Sequence, residues 1–436
     1  MFRSAQIPVQ GTNAFVPACR SRRPDPLARP VPMLSQIALS IAESATLKLN
    51  ETAALLRDKG EPVIHLGGGE PKSRAPIDAI IGCTSILNTG EVRYTPADGI
   101  AALKKAIIRY TEQHYGRAVA PENVIASSGA KQSIMVALQA MLDPKDEVIV
   151  PVPYWVSYPE MVKLAGGVPV PVRAADGSFE PAFEDVAQAV GPYTRAVLLN
   201  SPNNPSGAVY SEDFVRRVVE LCEQKDIWLV MDDTYNRLVF DGRQASNACA
   251  FTGEDVDRSK LVIVNSVSKM YAMTGFRVGW AVGNRDLVRV MTNIQSQQTS
   301  GPATPSQWAA VGALNGVQNC VDALCQTLQN NRDVMIARLR AIPGVKVTRP
   351  AGTFYAFPDF SAYEKDSQKL AAFLLEKVRV VTVPGREFGM DGHLRLSYCG
   401  TLKEIKEGIE RIQWALDPHA PNELFLGSRK LVRDWL

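Results

Sequence analysis

Four short apolar runs, Glu147–Val152, Arg195–Leu199, Ile227–Met231 and Leu261–Val264, organise the middle of this chain, and helical segments such as Glu212–Glu223 separate most of them. Runs this short and this rich in Val, Ile and Leu suit strands buried on both faces. Strand alternating with helix predicts a large α/β domain with a mainly parallel sheet. Helical patterns also cover Ala101–Tyr115 and Lys131–Leu142, and one runs from Pro305 to about Ala341. Earlier, a helical pattern begins near Leu34 (Ile37, Ile41, Leu47, Ala53–Leu56) and breaks at His65–Pro71. After the long helix comes a smaller α+β portion: Gly352–Pro358, Ala371–Lys377, Val378–Val383, His393–Tyr398 and a last helix, Lys403–Leu416.

At 436 residues the chain has length for more than one domain. We expect a disordered leader over 1–32, an N-terminal arm and part of the small domain over 33–65, a large domain over 66–310, a small domain over 311–416 and an extension over 417–436. The leader holds Arg3, Arg20, Arg22, Arg23 and Arg29 against Asp25 alone, so the net +3 sits there and the body is near neutral. A near-neutral body offers nucleic acid or membrane no electrostatic footprint. An Arg-rich, acid-poor leader reads as a transit peptide or as sequence ahead of a working start at Met33. The expected location is therefore cytoplasmic, or organellar if the leader is a transit peptide.

The longest charge-free run, Met291–Val321, is broken by Gln, Ser, Thr, Asn and Pro, which excludes a membrane span and reads as buried polar surface lining a site. Seven scattered cysteines without a C-x-x-C favour a reducing compartment. Four dispersed histidines argue against a metal centre.

Ligands of open α/β sheets bind beyond the carboxyl ends of the strands. There this sequence places Asn200–Gly207 with Asn204, then Asp232–Tyr235, then Asn265–Lys269 followed by Arg277. An amide, a carboxylate with a phenol, and a lysine at one sheet edge meet the needs of pyridoxal phosphate. Lys269 can form a Schiff base with the aldehyde. Asp232 can keep the pyridine nitrogen protonated, and Tyr235 and Asn204 can donate to the ring's 3-oxygen. Asp232 is preferred to Asp233 because Tyr235 then follows three residues on. Ser127-Ser128-Gly129-Ala130 opens a helix, a phosphate site to which Ser266, Ser268 and Arg277 add hydroxyls and a bidentate cation. Trp155 can stack on the ring. Arg395 lies mid-strand between Leu394 and Leu396, where a charge requires an anionic partner. Gly67-Gly68-Gly69 lacks the strand–helix context of a dinucleotide site.

These motifs, with Arg93–Gly99, Pro151–Trp155 and His393–Ser397, resemble the class I pyridoxal-phosphate aminotransferases of fold type I, and within them the aspartate aminotransferase branch of bacteria and plastids. The resemblance covers about Leu34 to Leu416 and implies a seven-stranded-type sheet. It implies Lys269, Asp232 and Tyr235 as catalytic residues. Gly129, Ala130, Trp155, Asn204, Ser266, Ser268 and Arg277 would hold the cofactor, and Tyr94 would reach the phosphate of a partner subunit. Gly68, Lys131, Trp155, Asn204 and Arg395 would bind substrate, Arg395 at the α-carboxylate and Lys131 at a distal one. It also implies a homodimer with sites at the interface, and ping-pong transfer of an amino group from aspartate or glutamate to a 2-oxo acid.

The branch usually reads Gly-Glu-Pro-Asp-Phe-Asp-Thr-Pro where this chain has Gly69-Glu-Pro-Lys72-Ser-Arg74-Ala-Pro76. Those cations would enlarge the positive field and suit a bulkier acidic substrate such as prephenate, unless both side chains point to solvent. Neutral amino acids and β-lyase chemistry are alternatives on the same scaffold. A cofactor-binding regulator is a remote one, since 32 Pro-rich residues cannot hold a helix-turn-helix.

Overall fold

The computed structural model describes residues 34–42, 45–175, 177–253, 255–426 and 429–435. The expected leader, and Cys19 with it, lies outside them.

Seven strands form the central sheet in the order Val124–Ser127, Gly279–Val282, Leu261–Ser266, Trp228–Asp232, Thr194–Asn200, Glu147–Val152 and Val168–Arg173. All run parallel except Gly279–Val282, which is antiparallel to both neighbours. The four apolar runs are its middle, and their side chains are almost wholly buried because helices cover both faces. Val168–Arg173 carries Pro169 and Pro171. It pairs with Glu147–Val152 alone. An edge is where a strand tolerates proline, which has no N–H for a ladder.

The long helical pattern after Pro305 is two helices, Thr304–Asn315 and Asn319–Arg340. They part at Gly316, where a β-carbon would stand 2.2 Å from Asp78 Oδ2. The same carboxylate accepts from the Val317 amide at 3.2 Å. The expected domain boundary at 310/311 thus falls inside a helix that packs on Ile77–Thr89. It is along Asn319–Arg340 that the chain leaves the first core, at Val321, and enters a second one from Leu324 onward.

That second core is the smaller α+β portion. Helices Ser367–Val378 and Leu402–Leu416 lie on short strands, with Tyr355–Ala356, Leu394–Ser397 and Val383–Pro384 forming one antiparallel sheet. Ile64–His65 pairs in parallel with Val380–Val381, so the start of the chain belongs to this portion.

The run Met291–Val321 does not line a site. Its buried amides pin the segment ahead of helix Ala101–Tyr115. Gln307 accepts from the Ile100 amide and donates to Thr95 and Pro302, while Gln295 donates to the Ala97 and Ala126 carbonyls. Polar groups withdrawn from water are satisfied by backbone that forms no ladder of its own. No helix among the described residues is long and apolar enough to cross a membrane.

Candidate active site

The parallel register sets Asn200 beside Asp232 at the carboxyl edge of the sheet. Asn200 donates to the Asp232 carbonyl at 2.9 Å and accepts from the Asn204 amide at 2.8 Å, which ties the Asn200–Gly207 loop to the neighbouring strand. Asp232 is buried, and its carboxylate accepts from Tyr158 at 2.6 Å and from the hydroxyl and amide of Thr234 at 2.6 and 3.1 Å. Burial raises its pKa, against the pull of those three bonds and of Lys269. Asp233 points away. It is buried, lines a separate cavity of about 410 Å³ with Arg237 and His114, and its Oδ1 has no partner. Burial pushes that carboxyl well up.

Lys269 follows strand Leu261–Ser266 on the short helix Val267–Met270, capped by Ser266, whose hydroxyl accepts from the Ser268 amide. Its Nζ donates to the Gly69 carbonyl at 2.6 Å. Burial, with the positive charge of Arg395, lowers its pKa to about 8. A lysine poised there is half neutral near physiological pH, as an attacking amine requires.

On the other side stands a cradle. Gly129 has φ +91° and heads helix Ala130–Met141, so the helix's unpaired amides face the cavity. A β-carbon on Gly129 would stand 2.7 Å from Arg277 Nη2. Arg277 itself holds φ +55° and donates to the Thr274 carbonyl at 2.8 Å. Ser127 Oγ, two residues before Gly129, is buried without a hydrogen-bond partner. A helix start, a guanidinium, the hydroxyls of Ser266 and Ser268 and an orphaned hydroxyl make a donor set fitted to phosphate.

Arg395 is 3% exposed. It donates to Asn204 Oδ1 and to the Gly67 carbonyl, each at 3.0 Å, and its Nε has no partner. Its guanidinium lies 4.3 Å from the Tyr355 ring, and the Tyr355 hydroxyl is 3.5 Å from that of Tyr235. The Lys131 ammonium sits 4.8 Å from the Trp155 ring, its pKa lowered by burial and by Arg277.

These groups surround one cavity of about 650 Å³. Every expected site residue lines it except Gly68, Gly129 and Tyr94. Gly129 lies behind the cradle. Gly68 contributes through its neighbours, whose carbonyls meet Arg395 and Lys269. Tyr94 is 96% exposed and away from the cavity of its own chain. Asn200, Tyr158 and Tyr355 were not foreseen. Tyr158 sits three residues beyond Trp155, in the spacing that brings two side chains to one helix face.

Lys72 corrects the reading of the entrance. Its ammonium pairs with Glu404 at 2.8 Å, and neither it nor the exposed Arg74 lines the cavity. His393 stacks on Phe357 at 5.0 Å, outside the site.

Comparison with known proteins settles the family. The family model for aminotransferase class I and II matches residues 61–412. The chain belongs to the class I and II aminotransferases. The aspartate aminotransferase of Geobacillus stearothermophilus is 36% identical over 393 residues, which cover 89% of this chain and all of that one. A probable aspartate/prephenate aminotransferase of Aquifex aeolicus is 37% identical over 381 residues, 86% of this chain and 96% of its own. Among solved structures, the aspartate aminotransferase of Rhizobium meliloti superposes with TM-score 0.83 at 38% identity, covering 87% of this chain and 98% of that one. The Thermus thermophilus enzyme with maleate gives 0.82 at 36%, with the same coverage. Members of this family use pyridoxal phosphate, and this aminotransferase shares their α/β fold, sheet and smaller portion included.

Proposed function

We propose that this aminotransferase binds pyridoxal phosphate on Lys269 and moves the amino group of aspartate or glutamate to a 2-oxo acid. The observation that carries the reading is Lys269 Nζ in one cavity with buried Asp232 and buried Arg395. The cavity fits the cofactor: an acid at one end, a phosphate cradle at the other, and an amine of lowered pKa between them. Bound there, the cofactor supplies an electron sink for the bond broken at the substrate's α-carbon.

The chain supplies the rest. Asp232, held by Tyr158 and Thr234, presents a carboxylate to a cationic ring nitrogen. Asn204 and Tyr235 are the donors for the ring oxygen. Arg395 has an unpartnered Nε and a planar fork suited to an α-carboxylate. Lys269 Nζ, neutral once released from its ligand, takes the α-proton and returns it one atom along. Lys131 is the cation left for a distal carboxylate, and it favours dicarboxylic substrates. The names of the relatives, and maleate, a dicarboxylate, in one similar structure, support that choice.

A second subunit completes the reading. Tyr94 and the outer face of helix Ile77–Thr89 (Ile77, Ile80, Ile81, Leu87) are exposed apolar surface of the kind a homodimer buries. Tyr94 would then serve the partner's site.

The test is the visible absorption of the cofactor-loaded protein before and after L-aspartate, with no oxo acid present. Bleaching to the amine form of the cofactor supports the reading. A band unmoved by aspartate and glutamate removes the substrate assignment. Prephenate belongs among the acceptors then offered, because the relatives include probable aspartate/prephenate enzymes.

A further inference from the structure

Residues 417–435 lie beyond the family match, and they fold back onto the smaller portion. Strands Glu423–Leu426 and Arg429–Val432 form a hairpin, which returns Arg433 and Trp435 to the core. Trp435 meets Trp414 edge-on at 5.6 Å and Phe373 at 5.4 Å. Trp414 belongs to helix Leu402–Leu416 and Phe373 to helix Ser367–Val378, so one indole bridges both. Arg433, 8% exposed, donates to the Ala420 and Asp417 carbonyls at 2.9 and 2.6 Å. Trp414 Nε1 donates to the Pro421 carbonyl at 2.8 Å, and Lys377 pairs with Asp434 at 3.0 Å.

The bridged helices are those on which the strand leading into the active site rests. At Gly408 a β-carbon would stand 2.8 Å from Leu66 Cδ1 and 3.1 Å from Ile64 Cγ2. Buried Arg411 donates to the Pro62 carbonyl at 2.6 Å and to that of Val378 at 3.3 Å. The Ile64 and Leu66 amides donate to the Arg379 and Val381 carbonyls, just past helix Ser367–Val378. The next residues, Gly67 and Gly69, offer their carbonyls to Arg395 and Lys269.

We propose that residues 417–435 are a strap that clamps the two helices and so positions the Gly67–Gly69 backbone against Arg395 and Lys269, with Trp435 as its positioning residue. The meaning of that backbone for substrate rests on the proposed function; the mechanical coupling does not.

The experiment compares the cofactor-loaded full chain with Trp435→Ala, Trp435→Phe and a chain ending at Pro418. It reads hydrogen exchange of the amides over 64–67 and steady-state kinetics with L-aspartate. Trp435→Ala and the shortened chain should exchange faster over 64–67 and raise KM about three- to tenfold, with kcat within about twofold. Trp435→Phe should restore both, since an aromatic edge remains. Unchanged exchange over 64–67 and unchanged KM in Trp435→Ala would overturn the proposal, as would faster exchange spread evenly over the molecule. If the full chain shows no transamination, the functional reading falls, and exchange over 64–67 still decides the strap. The point variants carry the test if the shortened chain does not fold.

Discussion

Lys269 Nζ and the Gly69 carbonyl lie 2.6 Å apart, a hydrogen bond that joins the reactive amine of the large α/β portion to the segment held by the smaller one. The amine is kept there at a pKa of about 8, first by burial and then by Arg395. Only the neutral amine attacks an aldehyde, so capture of pyridoxal phosphate by the cofactor-free protein should speed up as pH rises and level off above about pH 8. Stopped-flow absorbance reads the rate. A rate still climbing at about pH 10, as for an ordinary lysine, would contradict the environment described for Lys269.

The two adjacent acids should behave oppositely. Asp232→Asn removes the charge from a side chain that three hydrogen bonds aim into the cavity. Breaking a buried pair costs about 3–5 kcal/mol, so weaker cofactor retention and at least about a hundredfold loss of turnover are expected. Asp233 is held toward its neutral form by burial, and Asn has the same shape and charge as that form. Asp233→Asn should keep turnover within about threefold. Equilibrium dialysis against the cofactor, together with initial rates, separates the two.

Arg395→Ala should cripple substrate capture while leaving the cofactor's absorption in place. Truncating one partner of a buried charged contact costs about 2–5 kcal/mol, or about thirtyfold to several thousandfold in kcat/KM. Titration with L-aspartate, followed at the cofactor band, is the measurement.

Lys131→Ala should separate substrates by charge. Losing a charged hydrogen bond of about 1.5–3 kcal/mol lowers kcat/KM for aspartate about tenfold or more, and leaves L-alanine unaffected. An equal loss for both would show that Lys131 acts through its contact with Trp155 instead.

Ile80→Asp, on the exposed face of helix Ile77–Thr89, should convert the protein to monomers in sedimentation velocity and abolish transamination with them. A monomeric but active variant would remove the shared site from the account.

What the sequence disclosed follows from the physics of its segments. The four central strands are legible because burial on both faces makes them continuous apolar runs, and their ends name Asn200, Asp232 and Lys269 directly. Val124–Ser127 and Gly279–Val282 are only four residues long, too short to stand out, and Val168–Arg173 hides behind two edge prolines. The amides of Gln295 and Gln307 look like site residues because polarity in a charge-free run signals burial but not its purpose. Lys72 misleads for a related reason: its partner, Glu404, is 332 positions away, and no local pattern announces it. The packing of Trp435 on Trp414 and Phe373 depends on a turn that sequence periodicity does not encode.

The most direct test of the account is reductive trapping. The protein, loaded with pyridoxal phosphate and reduced with borohydride, should carry one pyridoxyl mass per chain, found by peptide mass spectrometry on Lys269. Lys269→Ala should carry none while still binding the cofactor reversibly. A pyridoxyl group on another lysine, or none on the wild-type chain, would contradict the assignment of this cavity as the active site.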